Sequence, residues 1–546
     1  MFPAQTSLIP ATVALVRWIE ASGFSDLYPY WYLGTTPVKY LIGPVVPGVL
    51  IGLHKILPGA SFFDLSIHYL LFTICISSVG WGILAWKLSG RKSYCFIVSL
   101  LILLAPWHWV SGLALSELSA TVAGALTPWV LLAFSRSLTA IKKRSTNLSP
   151  SAGPASSFLP ASAPPHILSE IDNPYGDSKP KGEGLRAVGN PSTAVTRGVY
   201  PERQSKDHVF DWQQSFVQTA LVFALLLLTN SVSAIPAIVG LVILGIVLSK
   251  RWEDGLKRAG FVIVAGWLIS TLWYGPGYWL TIWGAPSLGG RTVVFALGWV
   301  IDMFRGFVPF FLAVGVVIVG IRPKDVYSKF VYSWFFVFAI LTLIRFMADP
   351  DFWMDWTAWM GEVEVGVALL FAKQVLSMKY EVLSFRSKLL LITLPLLLIS
   401  GWFFAWQQKD FWLPRRTIED TVEYKIASWL RNNLTIQQSN NSPIVFLSGT
   451  TAFWLNSLVD VAQVRGGADH GSVDGQWREA AWVIRQGATA DDTERALRAL
   501  NISYIVVHTD KSEEFYHDFE NTEIFKKVSN LEKVYDSEGD RIYKAN

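Results

Sequence analysis

Apolar residues in this chain run in long unbroken blocks, not in alternation. Ten blocks stand out: 66–86, 94–106, 113–135, 215–229, 232–249, 259–279, 306–321, 327–346, 359–377 and 389–406. A helix needs about 20 mainly apolar residues to cross a bilayer, so the pattern predicts about ten spans, three of them short. The 94–106 block stops at Pro106, and 215–229 and 232–249 are parted only by Asn230 and Ser231, which predicts a tight helical hairpin. Residues 7–20 are too short to span and close on Arg17 and Glu20, the pattern of an amphipathic helix lying at the interface. Residues 40–57 are apolar too, but Gly43, Pro44, Pro47 and Gly48 break the first half, and His54 and Lys55 polarise the second. A helix on the outer surface is predicted there.

Two segments depart from this pattern. Residues 137–212 are dense in Ser, Pro, Ala and Gly with scattered charges of both signs. Such a stretch cannot bury enough apolar surface to offset its ordering, and a disordered cytoplasmic insertion is expected. From 409 onward the pattern becomes mixed and soluble. TIEDTVEYKIASWLRNN has helical spacing, with acids early and Arg431 late, as the helix dipole favours. PIVFLSG, VAQVRGG, SYIVVHT and DRIYKA read as short strands, and Asp491 with Glu494 reads as a capping box. A small α/β domain is therefore predicted over 409–546, and Asp64 is the expected N-cap of the first span.

Composition agrees with a membrane protein. Hydrophobic residues make up 51% and charged residues 16%, against roughly 25% charged in soluble domains. Cys75 and Cys95 lie inside apolar runs, which excludes a disulfide framework or thiolate cluster. Charge then fixes orientation. Connections 87–93, 136–214, 250–258, 322–329 and 379–388 hold 23 Lys and Arg, whereas the alternate set holds only Arg291, Arg305 and Arg345. The basic set is expected in the cytoplasm. That places residues 1–65 and 409–546 outside. The tail, with 16 Lys and Arg against 21 Asp and Glu, is acidic, as an outer domain next to a basic membrane body.

Ionisable residues beside an apolar bundle are the best pointers to function in such a chain. The outward side carries Glu20, Asp26, Glu117, Glu362 and Glu364 among its acids, and Arg291, Arg305 and Arg345 as its arginines between spans. Carboxylates can serve as a general base and guanidiniums can hold a phosphate bidentately. In the tail, His470, His508 and His517 are not at metal-ligand spacing and read as surface or satisfied loop residues. Gly466-Gly467 has no following Lys-Ser/Thr to make a phosphate loop.

The stretch DLYPYWYLGTTPVKYLIGPVVPGVL carries Pro29, Trp31, Gly34, Pro37, Gly43, Pro44 and Pro47. It resembles the Pro-x-Trp, Gly-x-x-Pro, Gly-Pro-x-x-Pro pattern of the 6-pyruvoyl-tetrahydropterin-synthase-related polytopic membrane proteins, which are similar to GT-C glycosyltransferases. QVRGGADHG, RQGATADD, ALNISYIVVHTDKS and DRIYK resemble the outer domain that ends many such chains. The resemblance implies a GT-C body with a large first outer loop, not pterin chemistry. It also implies that the family's first span and catalytic Asp would precede Met1, leaving Glu20 and Asp26 as the acids of that loop.

The resulting expectation is an α-helical polytopic membrane protein of about ten spans with a C-terminal extracytoplasmic α/β domain. Its expected activity is that of an inverting GT-C glycosyltransferase, moving a sugar from a polyprenyl-phosphate donor to an outside acceptor. Asp26, Glu20 or Glu117 would take the acceptor proton, and Arg305, Arg291 or Arg345 would hold the departing phosphate. The expected partners are the lipid-linked donor and membrane lipid, with no nucleic acid, and a divalent cation stays open as cofactor. The competing expectation is a non-catalytic membrane scaffold whose outer domain binds an envelope polymer or a protein.

Overall fold

The computed structural model describes residues 1–115, 117–147, 202–284, 323–348, 356–377, 396, 399–434, 443–473 and 475–546. Met1–Leu138 with Ser215–Asn546 form one compact unit, and Thr139–Gln214 form another. Most of the insertion expected at 137–212 lies outside the described residues.

The membrane body is helical. Helices α3 (Phe62–Ser89), α6 (Leu118–Asn147), α9 (Trp252–Gly284) and α10 (Val326–Ala348) each contain a segment long and apolar enough to cross a bilayer. A fifth span results if α4 (Lys92–Leu103) and the following Pro106–Leu115 segment are one span bent by 53°. The expected spans 306–321 and most of 389–406 lie outside the described residues. In α7 (Glu202–Thr229) the apolar part is only Gln214–Thr229, and α8 (Ile235–Leu248) has 14 residues. Fourteen residues reach about 21 Å, short of the ~30 Å of a hydrocarbon core. The hinge between these two at Asn230 and Ser231 is as expected. Helix α11 (Trp356–Ser377) carries Glu362, Glu364 and Lys373 within its apolar run. Trp81, Phe134, Phe223, Trp334, Phe338 and Trp359 fill the centre of the bundle.

Local chemistry sets the helix ends. Helix α3 starts at Ser61, whose hydroxyl accepts from the Asp64 N–H at 3.1 Å and donates to its carboxylate at 2.7 Å. Ser61 is thus the cap and Asp64 its partner one turn in, a correction to the expected role of Asp64. The helix closes at Gly90, where φ is +74°. The expected 94–106 span instead ends at Leu103, and the chain turns sharply into α5 (Pro106–Val110). Pro106 accounts for the turn, since it has no N–H to extend the ladder. Side chains take up four of the backbone groups freed at the break. The Trp109 and Trp402 indoles donate to Leu103 and Leu104 carbonyls at 2.7 and 2.6 Å, while Glu364 accepts from the Trp107 and His108 N–H groups at 3.1 Å each. A break at membrane depth is tolerable only when its polar groups are satisfied in this way. Helix α9 breaks similarly at Gly275 (φ +61°), just before Pro276.

The tail is the expected small α/β domain. Its five-stranded sheet has the order β2-β1-β3-β5-β4, with β1 (Ile444–Phe446), β2 (Ala462–Gln463), β3 (Ile502–His508), β4 (Leu531–Ser537) and β5 (Asp540–Ala545). Strands β2, β1 and β3 are parallel, whereas β5 and β4 add antiparallel. Helices α12 (Val422–Asn433), α13 (Thr451–Leu458), α14 (Gln476–Gln486) and α15 (Ala490–Ala499) connect and cover them, after the one-turn helix Lys409–Trp412. The start of α15 corrects the expected capping box. Thr489 is the cap, accepting from the Asp492 N–H at 3.1 Å.

Inside the tail lies a buried polar network that also corrects the reading of His508. That residue is 1% exposed, and its Nδ1 lies 2.7 Å from Asp540 Oδ1. Glu514 Oε1 accepts from the Thr450 amide (2.8 Å) and hydroxyl (2.5 Å), while Oε2 accepts from Thr451. The same Thr450 hydroxyl reaches Glu423 at 2.9 Å. Burial, and then the Glu514 charge, push the Glu423 carboxyl up to about 7. A folded-state value above the unfolded one means that the native state holds the extra proton. Stability from this group is therefore full below about pH 4.5 and is lost as pH rises through 7. Replacing Glu423 with Gln should leave thermal unfolding at pH 5 nearly unchanged and raise the midpoint at pH 8.5, with a gain of up to about 3 kcal/mol. An equal change at both pH values would show that Glu423 does not retain its proton.

Candidate active site

The N-terminal segment does not lie apart from the tail. Helix α1 (Ile9–Ser22) is buried on all sides over Ile9–Val16, a correction to the interfacial amphipathic helix expected at 7–20. It packs on α13, and Arg17 donates to the Ser457 carbonyl at 2.8 Å. One face of α1 enters a core with α2 (Val45–Ile56), the start of α3, Leu113, Trp412 and Trp454. Its other face, with Tyr28, Trp31, Tyr32 and Val38, joins tail residues Phe446, Val464, Trp477, Ile505 and Phe525 in a second core. Helix α2, at 12 residues, is too short to span, in line with the reading of 40–57.

The two motifs that carried the family resemblance meet here. The Thr36 N–H donates to the Gly471 carbonyl at 2.8 Å, and the Gln463 N–H to the Tyr30 carbonyl at 2.8 Å. The Tyr32 hydroxyl donates to the Gly466 carbonyl at 2.6 Å, and its ring lies 4.7 Å from that of Trp477. Gly466 is needed for this closeness, because a Cβ there would stand 2.2 Å from Trp31 Cγ. Tyr32 and Leu33 both hold left-handed backbone, with φ of +53° and +61°. Such conformations cost of order 1–3 kcal/mol each and persist where packing over-determines them. At the other end of the loop, Gly43 packs on the C-terminus of α7, where a Cβ would lie 1.9 Å from the Leu228 carbonyl oxygen.

Three charged groups act on Tyr32 through their fields. Burial, then the Asp469 carboxylate, raise its phenol above the usual tyrosine value; Arg465 opposes this and Glu117 adds to it. Glu117, Asp469 and Arg465 are thus the charges whose fields reach this one buried hydroxyl. Glu117 stands in the turn before α6, where the Ser119 hydroxyl donates to its Oε2 at 3.3 Å. Asn230, from the α7–α8 hinge, donates in turn to the Ser119 oxygen at 3.2 Å, and its own Oδ1 is held by the Ser233 N–H at 3.1 Å. The chain Asn230, Ser119, Glu117 orients one carboxylate from two elements.

Of the other expected site residues, Glu20 and Asp26 have partners of their own. Glu20 pairs with His54 at 3.1 Å, each about a third exposed. Asp26 is exposed, and its backbone carbonyl accepts from the Val38 N–H at 3.0 Å. Arg291 and Arg305 lie outside the described residues; Arg345 falls in α10, with its side chain outside them. Glu364 binds His108 Nδ1 at 3.2 Å besides the two N–H groups at the helix break. Among the described residues no three His, Cys, Asp or Glu side chains are grouped to hold a metal ion. Asp469 and Arg465 were missed by residue-level reading, although both lie in QVRGGADHG.

No protein-family model matches the chain, and no curated protein matches it. Solved structures do. The Archaeoglobus fulgidus oligosaccharyltransferase in complex with Zn and sulfate gives a TM-score of 0.51 at 13% identity, covering 92% of this chain and 64% of that chain. The same enzyme tethered to an acceptor peptide containing the NVT sequon gives 0.50 at 12%, covering 93% and 65%. Arabinofuranosyltransferase AftD from Mycobacteria gives 0.48 at 15%, covering 100% and 38%. The chain spans less than two thirds of the length of each. The fold is GT-C-like: a polytopic helical body with a C-terminal α/β domain.

Proposed function

We propose that this chain is a membrane glycosyltransferase of GT-C type, taking a sugar from a polyprenyl-phosphate-linked donor to an acceptor on the outer side of the cell membrane. Glu117 is the proton acceptor. The acceptor heteroatom attacks the anomeric carbon and yields its proton to the Glu117 carboxylate. The bond from that carbon to the phosphate oxygen breaks, and polyprenyl phosphate leaves with the electron pair. A single displacement inverts the sugar carbon. Asp469 stands as a second carboxylate for the acceptor, and Arg291, Arg305 and Arg345 are the proposed phosphate-side residues. Asp26 and Glu20, as acids of the first outer loop, are the alternative bases.

The observation that carries this reading is the hydrogen-bonded chain from Asn230 through Ser119 to Glu117. The charge of its target, Glu117, acts on Tyr32, where the outer-loop motif and the tail motif meet. A carboxylate oriented from two elements is what general-base catalysis requires. The fold supports the reading, as does the asymmetry of 23 basic residues against three, which argues for an outer tail. The likeness to the pterin-synthase-related membrane family belongs to the same proposal.

The test is transfer of radiolabelled sugar from polyprenyl-phosphate donors by the purified protein, with Glu117, Asp26 and Glu20 each changed to Ala. Loss of transfer in Glu117→Ala is expected. Full transfer in all three variants would remove this site, and no transfer by the parent from any lipid-linked donor would favour the scaffold reading.

A further inference from the structure

Beyond Tyr32 the tail holds a second charged group. Arg465 Nη1 donates to Asp518 Oδ2 at 2.8 Å and to the Ser448 oxygen at 3.1 Å. The Ser448 hydroxyl and, at 3.2 Å, the Gly449 N–H bind the same carboxylate oxygen. Arg485 approaches that oxygen only to 3.9 Å, beyond hydrogen-bond distance. Its one side-chain hydrogen bond runs from Nε to the Ala481 carbonyl at 3.4 Å. Among the described residues its Nη donors therefore have no acceptor, although the side chain is only 26% exposed. The Trp482 ring lies 5.6 Å from the same guanidinium. Two guanidiniums thus face one carboxylate, and only Arg465 is hydrogen-bonded to it.

The place in the fold matters as well. Ser448 and Gly449 follow the carboxyl end of β1, and Arg465 follows that of β2, two adjacent parallel strands. Ligands of parallel α/β sheets bind outside the carboxyl ends of the strands. The N-terminus of α13, which starts beside this edge, is already filled by Glu514. What the edge offers is the paired arginines. Burial and the neighbouring Arg465 lower the Arg485 value, while Ser448 and Arg465 hold Asp518 ionised against its burial.

We propose that Arg465 and Arg485 form an anion subsite in the tail that takes a phosphate-type oxyanion, with Asp518 holding Arg465 in position. The planar guanidinium fork of Arg485 matches two phosphate oxygens. The ion is either free phosphate or the phosphate of a lipid-linked molecule; the second source alone rests on the glycosyltransferase reading.

The experiment uses the full chain in lipid nanodiscs at low ionic strength. Calorimetry and thermal-shift titration are run with inorganic phosphate, and in parallel with polyprenyl phosphate in the nanodisc. The parent should bind phosphate and gain thermal stability. Arg485→Ala should weaken binding at least tenfold, and Arg485→Lys should recover part of it. Asp518→Asn keeps an oxygen to accept from Arg465 and hold it in position but removes the competing charge, so it should bind several-fold more tightly; a merely structural ion pair would not produce that sign. No binding by the parent at millimolar phosphate, or unchanged affinity in Arg485→Ala, would overturn the proposal, and so would weaker binding in a folded Asp518→Asn. Should Asp518→Asn not fold, the two Arg485 variants decide. Competition of polyprenyl phosphate with inorganic phosphate identifies the lipid source, and its absence the free ion. Phosphate binding with no sugar transfer would sink the transferase reading and leave this one standing.

Discussion

Changing Glu117 to Gln should cut sugar transfer by roughly a hundred- to ten-thousandfold, the usual contribution of a positioned general base. Gln keeps the shape of the side chain and an oxygen for the Ser119 hydroxyl, so the Asn230–Ser119 chain survives. What goes is the ability to take a proton. The loss should fall on kcat with donor KM nearly constant, as for an interaction made only in the transition state. Ser119→Ala should show a smaller loss, since it frees the carboxylate without removing it. Glu20→Gln should cost little, because its partner His54 is a third exposed and such pairs contribute at most about 1 kcal/mol. A Glu117→Gln variant that transfers as well as the parent, together with an inactive Asp26→Asn, would move the base to the first loop.

Gly466→Ala should have the largest effect on folding. The added Cβ would sit 2.2 Å from Trp31 Cγ, at the root of a ring that is itself 1% exposed. Neither group can yield cheaply. Trp31 is wedged against Tyr28 at 4.7 Å, and the Gly466 carbonyl holds the Tyr32 hydroxyl. Overpacking of this kind costs typically 1–3 kcal/mol or more, and here it acts on the contact joining the outer loop to the tail. A lowered thermal midpoint and faster proteolysis within 24–42 are expected. Gly48→Ala, where no atom lies within 4 Å of the new Cβ, is the control. Equal behaviour of the two variants would mean that the loop is not seated on the tail.

The legible parts of the fold were those with a local signal. Apolar runs marked β1, β2, β3 and β5, but β4 carries the exposed charges Glu532, Lys533 and Asp536 at the edge of the sheet, as edge strands do. Pro106 announced the end of α4, whereas the carboxylate that completes the break, Glu364, comes more than 250 residues later and gives no sign of it. Helix α1 read as interfacial because Arg17 and Glu20 close it; the cover over its apolar turns is α13, some 440 residues away. The same distance hid half of the site. Glu117 stood out as an acid entering a span, but Asp469 and Arg465 sit in a Gly-rich loop, where charged residues are ordinarily solvated. Only the fold lets their charges act on Tyr32.

Everything proposed for the site requires the first loop and the tail to share the outer side. Thiol labelling in intact cells tests this most directly, in a background lacking Cys75 and Cys95, with single cysteines at Gly59, Asp254 and Lys511, all exposed positions. An impermeant reagent should label positions 59 and 511 at once and reach 254 only after permeabilisation. Labelling of 254 in intact cells, with 59 and 511 shielded, would place the tail and Glu117 in the cytoplasm and contradict transfer to an outer acceptor.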